Sequence, residues 1–405
     1  MPRSLAVALV LLAAACNFSQ DFQVPAEGSG PGAGGTCGSA SDSANCGTCG
    51  HSCLGGACSY GKCVPVVLAS EQGDSAYGAY WYPYTTDIGD ALVGPDRIAV
   101  DGTHVYWLNL RGEVMRVATS GGDAQRVAQT AATPIWIGLD GAFIYFSTLE
   151  ARIFRVAKAG GTPVALADVS ASMFSTSVGS MRPYPFEFML SGGQIYWASG
   201  MGIDACAVSN CAQTRDAIYP GTAEYRPFSF AIDSGGHMYG SVENHRSEGP
   251  SSESVDYAMT FFRDGQWLGN ASSMGFYELH GAENGVYAFA TTDFGGPTGV
   301  VRWTESSVTF LASGDTLPGA PRGLALDDEF VYWANAAANV IARDERVASI
   351  VRCRKTGCAS PEVLVDGQMT PRAVAVANGA VYWTTGDGKV MKLATPEGLP
   401  QKPLR

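Results

Sequence analysis

Chemistry in this chain would fall to a small number of side chains. Five histidines are spread along it, His51, His104, His237, His245 and His280, and none has the spacing of H-E-x-x-H or another metal motif. A G-x-S-x-G elbow and a P-loop are also missing from the sequence. One acid and one base stand close together, Glu278 and His280 in "YELH". At the mouth of a channel such a pair could transfer a proton. The alternative is a pair of hydrogen-bonded structural side chains, because alternate residues of a strand share a face whatever their role. Asp96, Arg97, Arg226, Arg322 and Arg372 recur, like Glu278, near the starts of predicted strands, and their mixed signs suit a polar or sugar-like ligand. "AYWYPY" adds Tyr80, Trp81 and Tyr82, which offer contact area at low entropic cost or else form a lid. No residue is assigned as catalytic, and no metal or cofactor is expected.

The cysteines form a second set. There are 11, an odd number that would leave one unpaired in an oxidising compartment. Cys16 follows "LVLLAAA" and resembles the lipidated cysteine of a bacterial lipobox, although Leu12 lies four residues before it where a lipobox has its leucine three before. Setting Cys16 aside leaves ten. Cys37, Cys46, Cys49, Cys53, Cys58 and Cys63 lie close together, and Cys206/Cys211 and Cys353/Cys358 form two spaced pairs. "NCGTCGHSC" would also suit zinc through Cys46, Cys49, His51 and Cys53. Export and an even count favour three disulfides, with their connectivity open among 15 pairings.

The N-terminus explains the oxidising compartment. A basic Arg3, an apolar run from Leu5 to Leu12 and three alanines read as an export signal, and no segment reaches the roughly 20 apolar residues of a membrane span. The formal net charge of -12 makes nucleic acid a poor partner and repels anionic lipid headgroups. Membrane attachment is therefore expected only through the lipid anchor, and the chain is expected to be monomeric.

These residues must be positioned by a repeat. A hydrophobic-Tyr-aromatic signature recurs around Tyr106, Tyr145, Tyr196, Tyr239, Tyr287, Tyr332 and Tyr382, at spacings of ~40 to 50 residues typical of propeller blades. Before each tyrosine comes a short apolar strand, commonly opened by proline, and a tight turn such as Asp101-Gly102 or Asn378-Gly379 that tolerates positive φ. A third strand follows, as in "EVMRVATSGG" or "SIVRCRKTGC", and then a fourth. Both outlying cysteine pairs flank one equivalent turn, between strands three and four, where local disulfides are expected. The seventh copy has no convincing fourth strand, whereas "PVVLAS" precedes the first copy with no partner. The reading is an all-β, seven-bladed β-propeller closed by that N-terminal strand, which pairs near Val390 to Leu393. The predicted organisation is a signal at 1–15, lipidated cysteine and Gly/Pro linker at 16–36, cysteine-rich module at 37–63, propeller at 64–398 and tail at 399–405.

With "VYWLN", "IYWAS", "VYWAN" and "VYWTT" ahead of a V-x-R-V strand, the repeats resemble the YWTD propellers of lipoprotein-receptor ectodomains and related bacterial propellers over roughly residues 64 to 395. Asn109, Ser199, Asn335 and Thr385 replace the Asp of YWTD, and seven copies replace six, so the resemblance implies the fold and not that family's ligands. It places a basic residue in strand three, here Arg116, Arg155, Arg263, Arg302, Arg352 and Lys392. These are read as structural partners for carbonyls or turn carboxylates between blades, with an anion-binding ring as the alternative. The cysteine-rich segment resembles linkers of bacterial surface lipoproteins, which implies a spacer. Together these features imply a lipid-anchored surface protein whose non-catalytic propeller binds a protein or glycan of the envelope or extracellular space. The alternative is a lactonase- or lyase-type propeller enzyme.

Overall fold

The computed structural model describes residues 38–71, 95–109, 111–168, 187–199, 202–220, 225–247, 255–271, 274–292, 297–313, 320–336 and 348–396. Within them lie seven four-stranded antiparallel sheets, the blades of a propeller. Blade 1 runs Pro95–Val100, His104–Asn109, Glu113–Ala118 and Gln125–Gln129. The innermost strands of blades 2 to 7 are Pro134–Leu139, Phe188–Ser191, Tyr225–Ile232, Met274–Ala282, Ala320–Leu326 and Pro371–Ala377. Each touches the next, and the last returns to Pro95–Val100, so the ring is closed. Apolar residues occur in every strand because both faces of a blade are covered by its neighbours. The largest buried side chains are the repeat signature itself, including Trp107, Trp197, Trp333 and Trp383 beside Tyr106, Tyr145, Tyr239, Tyr332 and Tyr382.

The first hairpin turns are made in two ways, and blade 4 combines them, with Gly236 at φ 84° and Asp233 Oδ1 accepting from the Gly235 and His237 N–H groups. In blades 3, 5 and 7 the pairs Gly192-Gly193, Asn284-Gly285 and Asn378-Gly379 adopt positive φ, as two-residue hairpins require. In blades 1, 2 and 6 the expected positive φ is absent, and an aspartate side chain closes the turn instead. Asp101 Oδ1 accepts from the N–H groups of Thr103 and His104, and Asp140 and Asp327 do the same for Ala142/Phe143 and Glu329/Phe330. The other oxygen accepts the hydroxyl of the signature tyrosine: Tyr106 at 3.2 Å, Tyr145 at 2.6 Å and Tyr332 at 2.5 Å. Turn and core residue are thus one unit.

Strand-three basic residues cross the seams between blades. Arg116 donates to Lys158 O of blade 2, Arg155 to Val208 O of blade 3, and Lys392 of blade 7 to Thr119 O of blade 1. Arg263 pairs with Glu305 of blade 5, and Arg352 pairs with Glu362 of its own blade and lies over the Phe330 ring. These basic residues supply the missing partners of turn carbonyls and carboxylates, since a turn leaves carbonyls unused by the ladder.

Blade 7 takes its fourth strand from the opposite end of the chain. Val66–Ser70 pairs with Lys389–Ala394, with Val66 opposite Lys392 and Ser70 opposite Lys389. Glu71 then reaches into blade 1, accepting from Trp107 Nε1 at 2.8 Å and Asn109 Nδ2 at 3.2 Å. The described part of the cysteine-rich module, from residue 38 on, belongs to the same compact unit as the blades and contacts blade 7. Its disulfides include Cys46–Cys58 and Cys53–Cys63, and Cys49 is also bridged. Cys37 and Cys16 lie outside the described residues. His51 is buried with Nδ1 2.7 Å from Cys46 O and Nε2 3.0 Å from Thr395 O, just past the last strand. Lys392 Nζ donates to Leu54 O. The two outlying pairs are bridged locally as Cys206–Cys211 and Cys353–Cys358.

Candidate functional site

The inner strands place equivalent residues around the channel, and their register against the signature tyrosines identifies them. Ala99, Gly138, Met189, Ala231, His280, Ala325 and Ala375 stand opposite those tyrosines. Two residues earlier come Arg97, Trp136, Glu187, Ser229, Glu278, Gly323 and Ala373. This level, at the starts of the inner strands, is where the polar groups gather.

Arg97 of blade 1 meets Glu278 of blade 5 across the channel, Nη1 to Oε1 at 3.5 Å, while its guanidinium lies over the Trp136 ring. The second oxygen of Glu278 accepts from the Leu324 N–H of blade 6 at 3.2 Å. Glu278 has a left-handed backbone, φ 49°, in a bulge between Tyr277 and His280. The expected simple alternation of Glu278 and His280 along one strand is therefore broken there. A left-handed glutamate is costly, and such residues persist where surrounding contacts over-determine them. Blade 6 has Gly323 at the matching position, φ 62°.

Glu187, which the sequence reading did not single out, is buried in the same ring. Its Oε2 accepts the Ser229 hydroxyl at 2.5 Å. Burial, reinforced by the neighbouring charge of Glu278 and opposed by the Ser229 hydrogen bond, pushes its carboxyl up to about 8. Enclosure in the channel lowers His280, with Glu278 opposing and Arg97 reinforcing the shift. Glu187 could have been found by counting: it stands nine residues before Tyr196, as Arg97 does before Tyr106 and Glu278 before Tyr287.

Of the residues expected at the mouth, Asp96, Arg97, Glu278, His280, Arg322 and Arg372 are brought to one place: Arg322 senses Glu278, Arg372, Tyr277 and Asp96. Blade 7 supports this rim, where Thr384 Oγ1 donates to Asp96 O at 2.8 Å. The backbone of Arg226 belongs to Tyr225–Ile232, but its side chain is outside the described part of the structure. Tyr80, Trp81 and Tyr82 also lie outside the described residues. For metals, the sole group of three or more potential ligands among the described residues is Cys46, Cys53 and Cys63, all held in disulfides.

No protein family matches the chain, and a comparison with curated proteins finds no match. Solved structures do match. Virginiamycin B lyase from Staphylococcus aureus aligns at TM-score 0.51 and 14% identity, over 75% of this chain and 95% of that one. The WD40 propeller domain of Doa1 aligns at TM-score 0.52 and 10% identity, over 82% and 97%. PorZ of Porphyromonas gingivalis aligns at TM-score 0.50 and 12% identity, over 78% of this chain and 39% of that one. At these identities the likeness establishes the β-propeller fold alone.

Proposed function

We propose that the chain is an exported, lipid-anchored cell-surface protein whose propeller is a non-catalytic binding module for a protein or glycan, with the channel mouth as its site. The observation that carries this reading is the cross-bracing of the mouth. Arg97 and the Leu324 N–H both hold Glu278, and Ser229 holds Glu187, so these polar groups form a pre-organised rim. A neighbour in fold, PorZ, is described as a bacterial surface component of the type-IX secretion system, which supports a surface role. Among the described residues no helix is long and apolar enough to cross a membrane.

Immobilised full-length chain should retain an envelope component from cell extracts, and Trp81→Ala should release it; extracts that leave nothing bound sink the reading. Metabolic fatty-acid labelling should mark the wild type and not Cys16→Ser, and equal labelling of the two removes the anchor.

One observation favours a second reading, an enzyme of the lactonase or lyase type, a class that includes the similarly folded virginiamycin B lyase. Glu187 retains its proton near neutral pH while His280 is kept neutral, so a potential acid and base share the channel. Turnover abolished by Glu187→Gln or His280→Ala in a screen of lactones would establish it.

A further inference from the structure

Three sulfurs and one imidazole converge where the cysteine module meets blade 7. The Sγ atoms of Cys46, Cys53 and Cys63 all lie within 4.8 Å of one another, although they belong to two different disulfides. His51 joins them, buried, with its Nε2 3.7 Å from Cys63 Sγ. Cys49 is not one of this group. The converging set therefore differs from the one that "NCGTCGHSC" suggests: Cys63, in the second strand of the module hairpin at Lys62–Cys63, takes the place of Cys49.

The imidazole carries a second mark of a ligand. Nδ1 lies 2.7 Å from Cys46 O and Nε2 lies 3.0 Å from Thr395 O, and both oxygens can only accept. A neutral imidazole donates through one nitrogen, so it serves one of these carbonyls and turns a lone pair toward the other. The shorter contact assigns the proton to Nδ1, which leaves the Nε2 lone pair facing Thr395 O and Cys63 Sγ. A cation at that point replaces a repulsion with attraction. A ring whose other N–H is held by a backbone carbonyl is also oriented as metal-bound histidines are.

The distances suit zinc. Ligands ~2.3 Å from a tetrahedral zinc ion stand about 3.8 Å apart, which matches the 3.7 Å between Cys63 Sγ and His51 Nε2 and is within about 1 Å of the 4.8 Å spread of the sulfurs.

We propose that the module, once the bridges Cys46–Cys58 and Cys53–Cys63 are reduced, binds one zinc ion through Cys46, Cys53, Cys63 and His51. The reductant is an external dithiol: each S–S bond takes up two electrons and two protons, and the dithiol becomes a disulfide. Zinc then displaces the protons of three thiols, and Cys58 remains a thiol. Three thiolates leave the site negative, and Lys392 stands close by, its ammonium donating to Leu54 O next to Cys53. Cys63 lies just before the closing strand Val66–Ser70, so disulfides and zinc are alternative ways to hold one clasp, the first in oxidising and the second in reducing surroundings.

For the test, the full chain is reduced anaerobically with dithiothreitol, freed of it and titrated with cobalt(II), the coloured stand-in for zinc, beside the unreduced chain. The reduced chain takes up one ion, with a thiolate-to-cobalt absorption and the strong visible bands of a tetrahedral site; zinc bleaches these bands and raises the melting temperature. The unreduced chain shows none of this. Cys63→Ser and His51→Gln each weaken cobalt binding by at least ~10-fold, and Cys49→Ser leaves it unchanged. A reduced chain without a tetrahedral spectrum overturns the proposal. So does a spectrum unaltered in Cys63→Ser and His51→Gln, which puts the ion on other thiols, or one lost in Cys49→Ser, which returns it to the sequence run. If Cys63→Ser does not fold, His51→Gln, which keeps every cysteine, decides. Envelope capture by the unreduced chain is separate from all these outcomes, so the binding-module reading stands or falls apart from this site.

Discussion

Asp327 shows how much one side chain holds in this fold. It accepts from the Glu329 and Phe330 N–H groups with one oxygen and from the Tyr332 hydroxyl with the other, at 2.8, 2.7 and 2.5 Å. Asp327→Ala leaves the buried hydroxyl and two turn N–H groups without their acceptor, and should cost about 2–4 kcal/mol in chemical denaturation. Glu187 is the opposite case, a buried carboxyl whose folded form prefers its proton. Its folded value of about 8 lies above the ordinary carboxylate range, so the folded protein binds the proton more tightly than the unfolded chain does. That stability is fully present below the unfolded value and is lost as pH rises through about 8. Wild type should therefore weaken between pH 5 and pH 8 by up to several kcal/mol, and Glu187→Gln should show a flatter profile and be the more stable of the two at pH 8. Melting temperatures across that range decide it; parallel profiles would mean that Glu187 ionises freely in the fold.

At the scale of elements, the closing strand carries more than its own ladder. Val66–Ser70 completes blade 7, Glu71 anchors the indole of Trp107 in blade 1, and Leu54 and His51 just upstream meet Lys392 and Thr395. Removing residues 64–69 exposes the edge of Lys389–Ala394 and disturbs each of these ties. The propeller should lose about 3 kcal/mol or more, read as a lower denaturation midpoint. A deletion variant that melts with the full chain would show that closure lies elsewhere. The aspartate-closed turns show how far sequence reading reaches for an element. "DG" announced a turn correctly, but both positive φ and an aspartate acceptor satisfy a hairpin, and the dipeptide does not distinguish them. The second partner of that aspartate, a tyrosine five residues on, is visible only when the hairpin is folded.

At the scale of the molecule, the cysteine module and ring are joined. His51 contacts Thr395 from 344 positions away in the chain, and Lys392 touches both Leu54 in the module and Thr119 in blade 1. Differential scanning calorimetry should accordingly give one cooperative transition for module and propeller together. A separate low-temperature transition abolished by disulfide reduction would show that the module folds apart from the ring.

The sequence by itself determined the blade number, the strand order within a blade and the positions of most rim residues. Those depend on local period, turn chemistry and apolar alternation, which act within a few tens of residues. Tertiary structure alone decided which of those residues meet. Arg97 and Glu278 are 181 residues apart, and Gly323 of blade 6 admits the backbone of blade 7 at Ala373. Glu187 becomes an acid that keeps its proton because ring closure buries it. Charge, burial and orphaned hydrogen bonds are properties of juxtaposition, and a ring brings together residues that are distant along the chain.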